Sequence, residues 1–203
     1  MAFQPGIPQR DYIDGRRRRH VNPVTFYLVG ATAQLLSLYF VGDLMAQTLG
    51  DGLLEESVVA LQAKGIEDPR AWVGERYILL IQNAYTWLGV ITFVLPMALT
   101  LKLLLPKRIN LAEALVYCFY TVAFVMLITA LVAPFSIPVS QSAHGIFGMT
   151  SYLVYALFSG VGCFGRKPWP IAAGLISMVV GVICFFLALL IGSRIMFNPN
   201  LFA

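Results

Sequence analysis

Charge is what this sequence has least of. Only 12% of its 203 residues are Asp, Glu, Lys or Arg, against about 25% in an ordinary soluble domain. Histidine occurs twice, at His20 and His144, and cysteine three times, at Cys118, Cys163 and Cys184. Each scarcity excludes a class of chemistry. Two histidines on opposite faces of a membrane form neither a bis-histidine haem pair nor a two-histidine metal site. The cysteines sit in or beside apolar stretches without pairing spacing and read as small buried hydrophobes. There is no HExxH, no GxSxG and no Walker A motif, and Ser159 has Leu157 where a nucleophile elbow needs glycine. No carboxylate stands in the middle of an apolar stretch, where a proton-coupled transporter keeps one. These absences argue against an enzyme, and no cofactor is expected.

What the chain does have is apolar length. It is 59% hydrophobic, with a mean hydropathy of +0.77. Long apolar stretches run Val24–Val41, Ile78–Leu105, Leu111–Ile137, Gly145–Phe164 and Pro170–Ile191, and a helical crossing takes roughly 20 such residues. The expected fold is therefore all-α: a basic segment over residues 1–23, then a bundle of five transmembrane helices over residues 24–203. Gly42-Asp43-Leu44-Met45-Ala46-Gln47 offers no small-x-small cleavage site, so the first stretch reads as an uncleaved anchor.

The few charges are sorted by side. Arg10, Arg16, Arg17, Arg18, Arg19, Lys102, Lys107, Arg108, Arg166 and Lys167 fall in the N-terminal segment and in the second–third and fourth–fifth connections. Only Lys64, Arg70, Arg76 and Arg194 fall on the other side. The positive-inside rule then puts the N-terminus in the cytoplasm and the C-terminus outside, and an odd number of spans requires the same arrangement. The outer loop over residues 42–77 is acidic, with seven acids (Asp43, Asp51, Glu55, Glu56, Glu67, Asp68, Glu75) against Lys64, Arg70 and Arg76. The net charge of +4 is thus a topology signal, and nucleic acid is not an expected partner.

Helix boundaries carry their own chemistry. Asn110-Leu111-Ala112-Glu113 has capping-box spacing, and Asp68-Pro69 reads as N-cap followed by a first-turn proline. A helix from there to Leu105 would run about 55 Å at 1.5 Å per residue, longer than the bilayer, with its start in the outer aqueous layer. Asp51 is expected to cap a short amphipathic helix ended by Gly65, Pro134 and Pro138 to end the third span, and Trp169 to anchor the fifth at an interface.

Pro5, Gly6, Arg10, Tyr12, Gly15, Arg16, Arg18, Pro23 and Phe26 form a pattern of Pro-Gly, Arg-x-Tyr, a glycine followed by basic residues, and a proline before an aromatic-led span. This opening resembles that of the domain-of-unknown-function 3667 family, small bacterial inner-membrane proteins with no assigned activity. Leu95-Pro96 and Lys102 through Glu113 look like the family's later helical hairpin. Two features depart from it: there is no zinc ribbon of paired cysteines, and Glu113-Ala114-Leu115-Val116-Tyr117 holds no histidine. The resemblance implies the bacterial inner membrane and little about mechanism. In plan alone the five-span arrangement is similar to the Yip1-type membrane proteins.

Three groups of residues remain as candidate sites. Arg16, Arg17, Arg18 and Arg19 read first as a topology anchor, and beyond that as a dock for anionic lipid or an acidic partner, partly offset by Asp11 and Asp14. Gln34, Gln82, Asn83 and Thr86 are uncharged polar residues in the spans, suited to hydrogen bonds between helices or to a ligand. Gly145 with Gly148, and Gly174 with Gly181, put small residues on one helical face each, where backbones approach closely. Together these point to a non-catalytic accessory or scaffold subunit that associates with other integral-membrane proteins or lipids. No soluble small-molecule substrate is identified. The alternative is a channel or transporter for a neutral or lipidic substrate that uses the Gln34, Gln82 and Asn83 patch.

Overall fold

The computed structural model describes residues 6–16, 20–51, 55–85, 87–137 and 141–196. Among these every regular element is helical. A short helix α1 (Ile7–Ile13) precedes α2 (Pro23–Asp51), α3 (Glu55–Gln62), α4 (Pro69–Tyr85) and α5 (Trp87–Gly89). A π-helical stretch (Val90–Val94) leads into α6 (Leu95–Leu104), followed by α7 (Leu111–Ser136), α8 (Gln141–Phe164) and α9 (Pro168–Met196).

Four helices are long and apolar enough to cross a membrane, over Pro23–Leu44, Leu111–Ser136, Ile146–Phe164 and Pro168–Gly192. The expected second span is described in α4, α5, the π-helical stretch and α6, with residue 86 outside the described residues, and its apolar part is the shorter Val90–Leu104. Pro96 gives the physical reason for the π-helical stretch. A proline inside a helix has no N–H to donate, and its ring crowds the carbonyl four residues back, here Thr92. The backbone widens in response: the Leu95 N–H bonds to the Val90 carbonyl, five residues back, the signature of a π turn.

Several boundaries follow the local chemistry. The Ala71 N–H donates to Asp68 Oδ1 at 3.1 Å, capping α4. At α7 the Glu113 N–H donates to Asn110 Oδ1 at 2.9 Å and the Asn110 N–H to Glu113 Oε2 at 2.8 Å, so the capping box is complete. Lys102 Nζ closes the end of α6 by donating to the carbonyls of Pro106 and Ile109, each at 2.8 Å. Trp169 Nε1 reaches the Leu104 carbonyl at 3.3 Å. The first helix continues well past Val41, and the expected cap by Asp51 lies outside the described residues, with the Asp51 side chain and residues 52–54. One expectation needs correction. Pro134 lies inside α7: it removes only the bond to the Ala130 carbonyl, and the next turn still closes through the Ile137 N–H on the Ala133 carbonyl at 3.0 Å.

Helix α7 is the centre of the bundle. Over its most apolar 18 residues 56% are buried, against 22% over the corresponding stretches of α8 and α9, and α1, α2, α6 and α8 all pack on it. The tightest crossing joins α2 to α7. A Cβ at Gly30 would stand 2.8 Å from the Ala123 carbonyl oxygen, so only glycine lets the two backbones meet there. The Tyr117 side chain fills the middle of the bundle and its hydroxyl donates to the Ala156 carbonyl at 3.2 Å. Helix α9 closes the bundle against α4, α6 and α8.

Candidate functional site

The densest polar construction among the described residues is at the N-terminal end of the bundle. Helix α1 lies against α7 and α8, and its seat is made by Gly6. That residue holds a left-handed φ of +90°, and a Cβ there would fall on the backbone of Ser159, Gly162 and Cys163. Glycine is required twice over, by conformation and by contact. Gln9, one turn on, is fully buried.

From α1 the chain turns at Gly15, also left-handed at φ +86°, and is clamped to itself. His20 Nε2 donates to Asp11 Oδ2 at 3.0 Å, and the Arg16 guanidinium meets Asp11 Oδ1 at 2.7 Å and Asp14 Oδ2 at 3.1 Å. The His20 side chain is 7% exposed and that of Asp11 16%. The Asp11–His20 pair is therefore sheltered, whereas Arg16 is half in solvent and its ion pairs are correspondingly weak. Asn22 Oδ1 then accepts from the Val24 N–H at 2.9 Å and starts α2, with Pro23 as its first residue.

An aromatic cluster ties this turn to the bundle. Tyr120 of α7 packs edge-on to Tyr12, with centroids 6.3 Å apart, and tilted on Phe26 at 5.6 Å. Its hydroxyl donates to the Val21 carbonyl. Arg10, Tyr12, Gly15, Arg16, Pro23 and Phe26, which carry the resemblance noted in the sequence, thus belong to one folded unit. Residues 1–35 match the family model described as protein of unknown function DUF3667. Among the described residues, the matched segment includes the clamp and turn that seat α1 under α7. No curated protein and no solved structure matches the chain.

The other sequence-derived candidates are scattered. Arg17, Arg18 and Arg19 lie outside the described residues, and Arg16 is engaged by Asp11 and Asp14. Gln34 is buried in α2, where its Oε1 meets the Thr129 hydroxyl of α7 at 3.4 Å. Gln82 and Asn83 stand exposed on α4, and Asn83 Nδ2 donates back to the Leu79 carbonyl at 2.8 Å. Thr86 lies outside the described residues. The polar patch is therefore not gathered. The glycines fare better as packing positions. Gly174 faces the Tyr117 hydroxyl, 3.2 Å from where a Cβ would sit, and Gly181 faces the Phe93 ring at 2.7 Å. At Gly148 a Cβ would make ordinary contact with Thr129 Cγ2 at 3.6 Å, and Gly145 lies in the first turns of α8.

His144 is at the far end of the bundle from His20, where its Nδ1 lies 2.7 Å from the Ser136 hydroxyl. Among the described residues no three His, Cys, Asp or Glu side chains come together in a way that could hold a metal ion. Sequence reasoning did not find the Asp11–His20 clamp, the Gly6 seat or Thr129. No spacing rule pairs residues nine or 95 positions apart.

Proposed function

We propose that the chain is a non-catalytic accessory or scaffold subunit of a bacterial cytoplasmic membrane, associating with other integral-membrane proteins. In this reading the segment from α4 to α6 is a fifth crossing. The N-terminus is inside, where the basic residues gather, and the C-terminus outside. The opening segment shared with DUF3667, a family of membrane proteins in the resemblance drawn above, supports the setting. Arg17, Arg18 and Arg19 would add attraction to anionic lipid of the inner leaflet.

The observation that carries the reading is the exposure of Gln82. It follows Ile78-Leu79-Leu80-Ile81 at the start of the proposed crossing, and a carboxamide turned toward hydrocarbon is costly unless it finds a partner. A neighbouring subunit with a polar side chain at that depth supplies one. The transporter reading required Gln34, Gln82 and Asn83 on a shared path, but Gln34 meets Thr129 inside the bundle while the other two face outward.

The test is isolation from the native membrane in a mild detergent. Stoichiometric co-purification of a membrane complex is expected, weakened in the double variant Gln82→Leu, Asn83→Leu. Solute flux through the purified chain alone in liposomes would refute the proposal.

A further inference from the structure

The bundle is not filled throughout. A cavity of about 590 Å³ lies among α2, the π-helical stretch, α7, α8 and α9, within the roughly 300–1,000 Å³ of small-molecule sites. Its rim is made by exposed residues of two helices, Met149 and Leu153 on α8 and Val179 and Ile183 on α9. It therefore opens sideways between α8 and α9, toward the hydrocarbon. A ligand arriving there is lipid-soluble.

The walls restrict the ligand further. No Asp, Glu, Lys or Arg lines the cavity, so a charged headgroup would lose its hydration with nothing in return. The back wall is aromatic. Phe93, presented by the π-helical stretch, stands edge-on to Tyr152 with centroids 5.4 Å apart and tilted on Phe185 at 5.9 Å. Met126 and Met178 add polarisable thioethers, which favour contact with rings.

Besides Thr129, His144 and Tyr152, one carboxamide is set into these walls at mid-span. Gln34, in the middle of the Pro23–Leu44 crossing, lines the cavity and is only 6% exposed. Its amide lies 3.4 Å from the Thr129 hydroxyl, which itself donates to the Val125 carbonyl at 2.9 Å, so the carboxamide keeps hydrogen-bonding capacity to spare for a ligand. A fatty-acyl chain in the cavity would leave that capacity unused. A neutral planar ring carrying a carbonyl oxygen satisfies both the amide and the aromatic wall.

We propose that this cavity binds a lipid-soluble quinone, its ring against Phe93 and its carbonyl oxygen accepting from Gln34 Nε2. No electron transfer is involved. The site goes beyond the accessory role and does not depend on which subunits the protein joins.

The test uses the purified full chain in detergent with a decyl-substituted benzoquinone, subtracting partition into empty micelles. Saturable one-to-one binding is expected. Gln34→Leu keeps the shape of the side chain, and the Thr129 hydroxyl retains the Val125 carbonyl at 2.9 Å. The lost hydrogen bond should weaken binding about tenfold. Val179→Trp, on the exposed rim, should block the opening without disturbing the interior, and it decides the matter should Gln34→Leu fail to fold. Dioctanoylglycerol, a neutral carbonyl compound without a ring, should not displace the quinone. Unsaturable uptake, unchanged binding in either folded variant, or displacement by the glyceride at equal concentration would each overturn the proposal.

Discussion

His20 donates from Nε2 to the Asp11 carboxylate across a turn of nine positions, at 3.0 Å, with both side chains sheltered from solvent. The bond closes the segment that carries the DUF3667 match. Removing the carboxylate leaves the imidazole nitrogen without its acceptor, and a sheltered hydrogen bond to a charged group contributes about 2 kcal/mol. Asp11→Ala should therefore lower the unfolding midpoint in detergent. It should also speed tryptic cleavage at Arg10 and Arg16, since α1 loses its tie to the turn. Arg16→Gln, which removes only exposed ion pairs, should change stability by well under 1 kcal/mol. Equal effects from the two variants would show that the clamp has no special role.

Glycines in the spans are predicted to differ by what their missing Cβ would meet. Gly30→Ala places a methyl group 2.8 Å from a backbone oxygen of α7 that cannot rotate away. Overpacking of that kind costs about 1–3 kcal/mol. Gly148→Ala makes only an ordinary contact with Thr129 Cγ2 and should be neutral or slightly stabilising. Thermal unfolding of the two variants side by side checks the order, and a more damaging Gly148→Ala would contradict it.

These cases mark where sequence reading succeeds. The Asn110–Glu113 box, the Asp68 cap and the left-handed Gly65 are legible because cap and capped groups lie within four residues, so composition dictates geometry. Apolar length likewise reveals the long helices. Gly30 is not legible, because its importance comes from Ala123, 93 positions away. At Pro96, inside a stretch expected to be one continuous helix, the backbone widens into a π turn, and at Pro134, expected to end the third span, a helix near its end absorbs one lost bond. Gln34 was recognised as a polar residue in a span. Its partner is Thr129 rather than Gln82 or Asn83, because the rotation of α2 against α7 is set by packing.

The membrane orientation is open to direct measurement. Lys64 and Lys107 lie in exposed turns, the first between α3 and α4 and the second between α6 and α7. With the N-terminus inside, a membrane-impermeant maleimide added to intact cells should label Lys64→Cys and leave Lys107→Cys unlabelled until the membrane is opened. The native cysteines Cys118 and Cys163 are buried and should stay silent, with Cys184→Ser as the background. Labelling of both positions from outside would mean that the segment from α4 to α6 does not cross.

Acid should loosen the end of the bundle opposite the clamp. His144 lies just before the Ile146–Phe164 span and its Nδ1 meets the Ser136 hydroxyl at 2.7 Å. The same hydroxyl lies 3.0 Å from the Val132 carbonyl, which can only accept. Both bonds are satisfied when Nδ1 carries the proton and donates to Ser136, in a neutral ring. Burial holds the His144 pKa below its ordinary 6.5, so between that value and the lower folded one the unfolded chain binds more protons than the folded chain. The stabilisation is then complete above about pH 6.5 and is lost as pH falls through the folded value. His144→Gln, which does not titrate, should flatten this part of the pH dependence of unfolding while leaving the midpoint at pH 8 close to that of the native protein. Parallel pH profiles for the two chains would mean that His144 titrates alike in the folded and unfolded states.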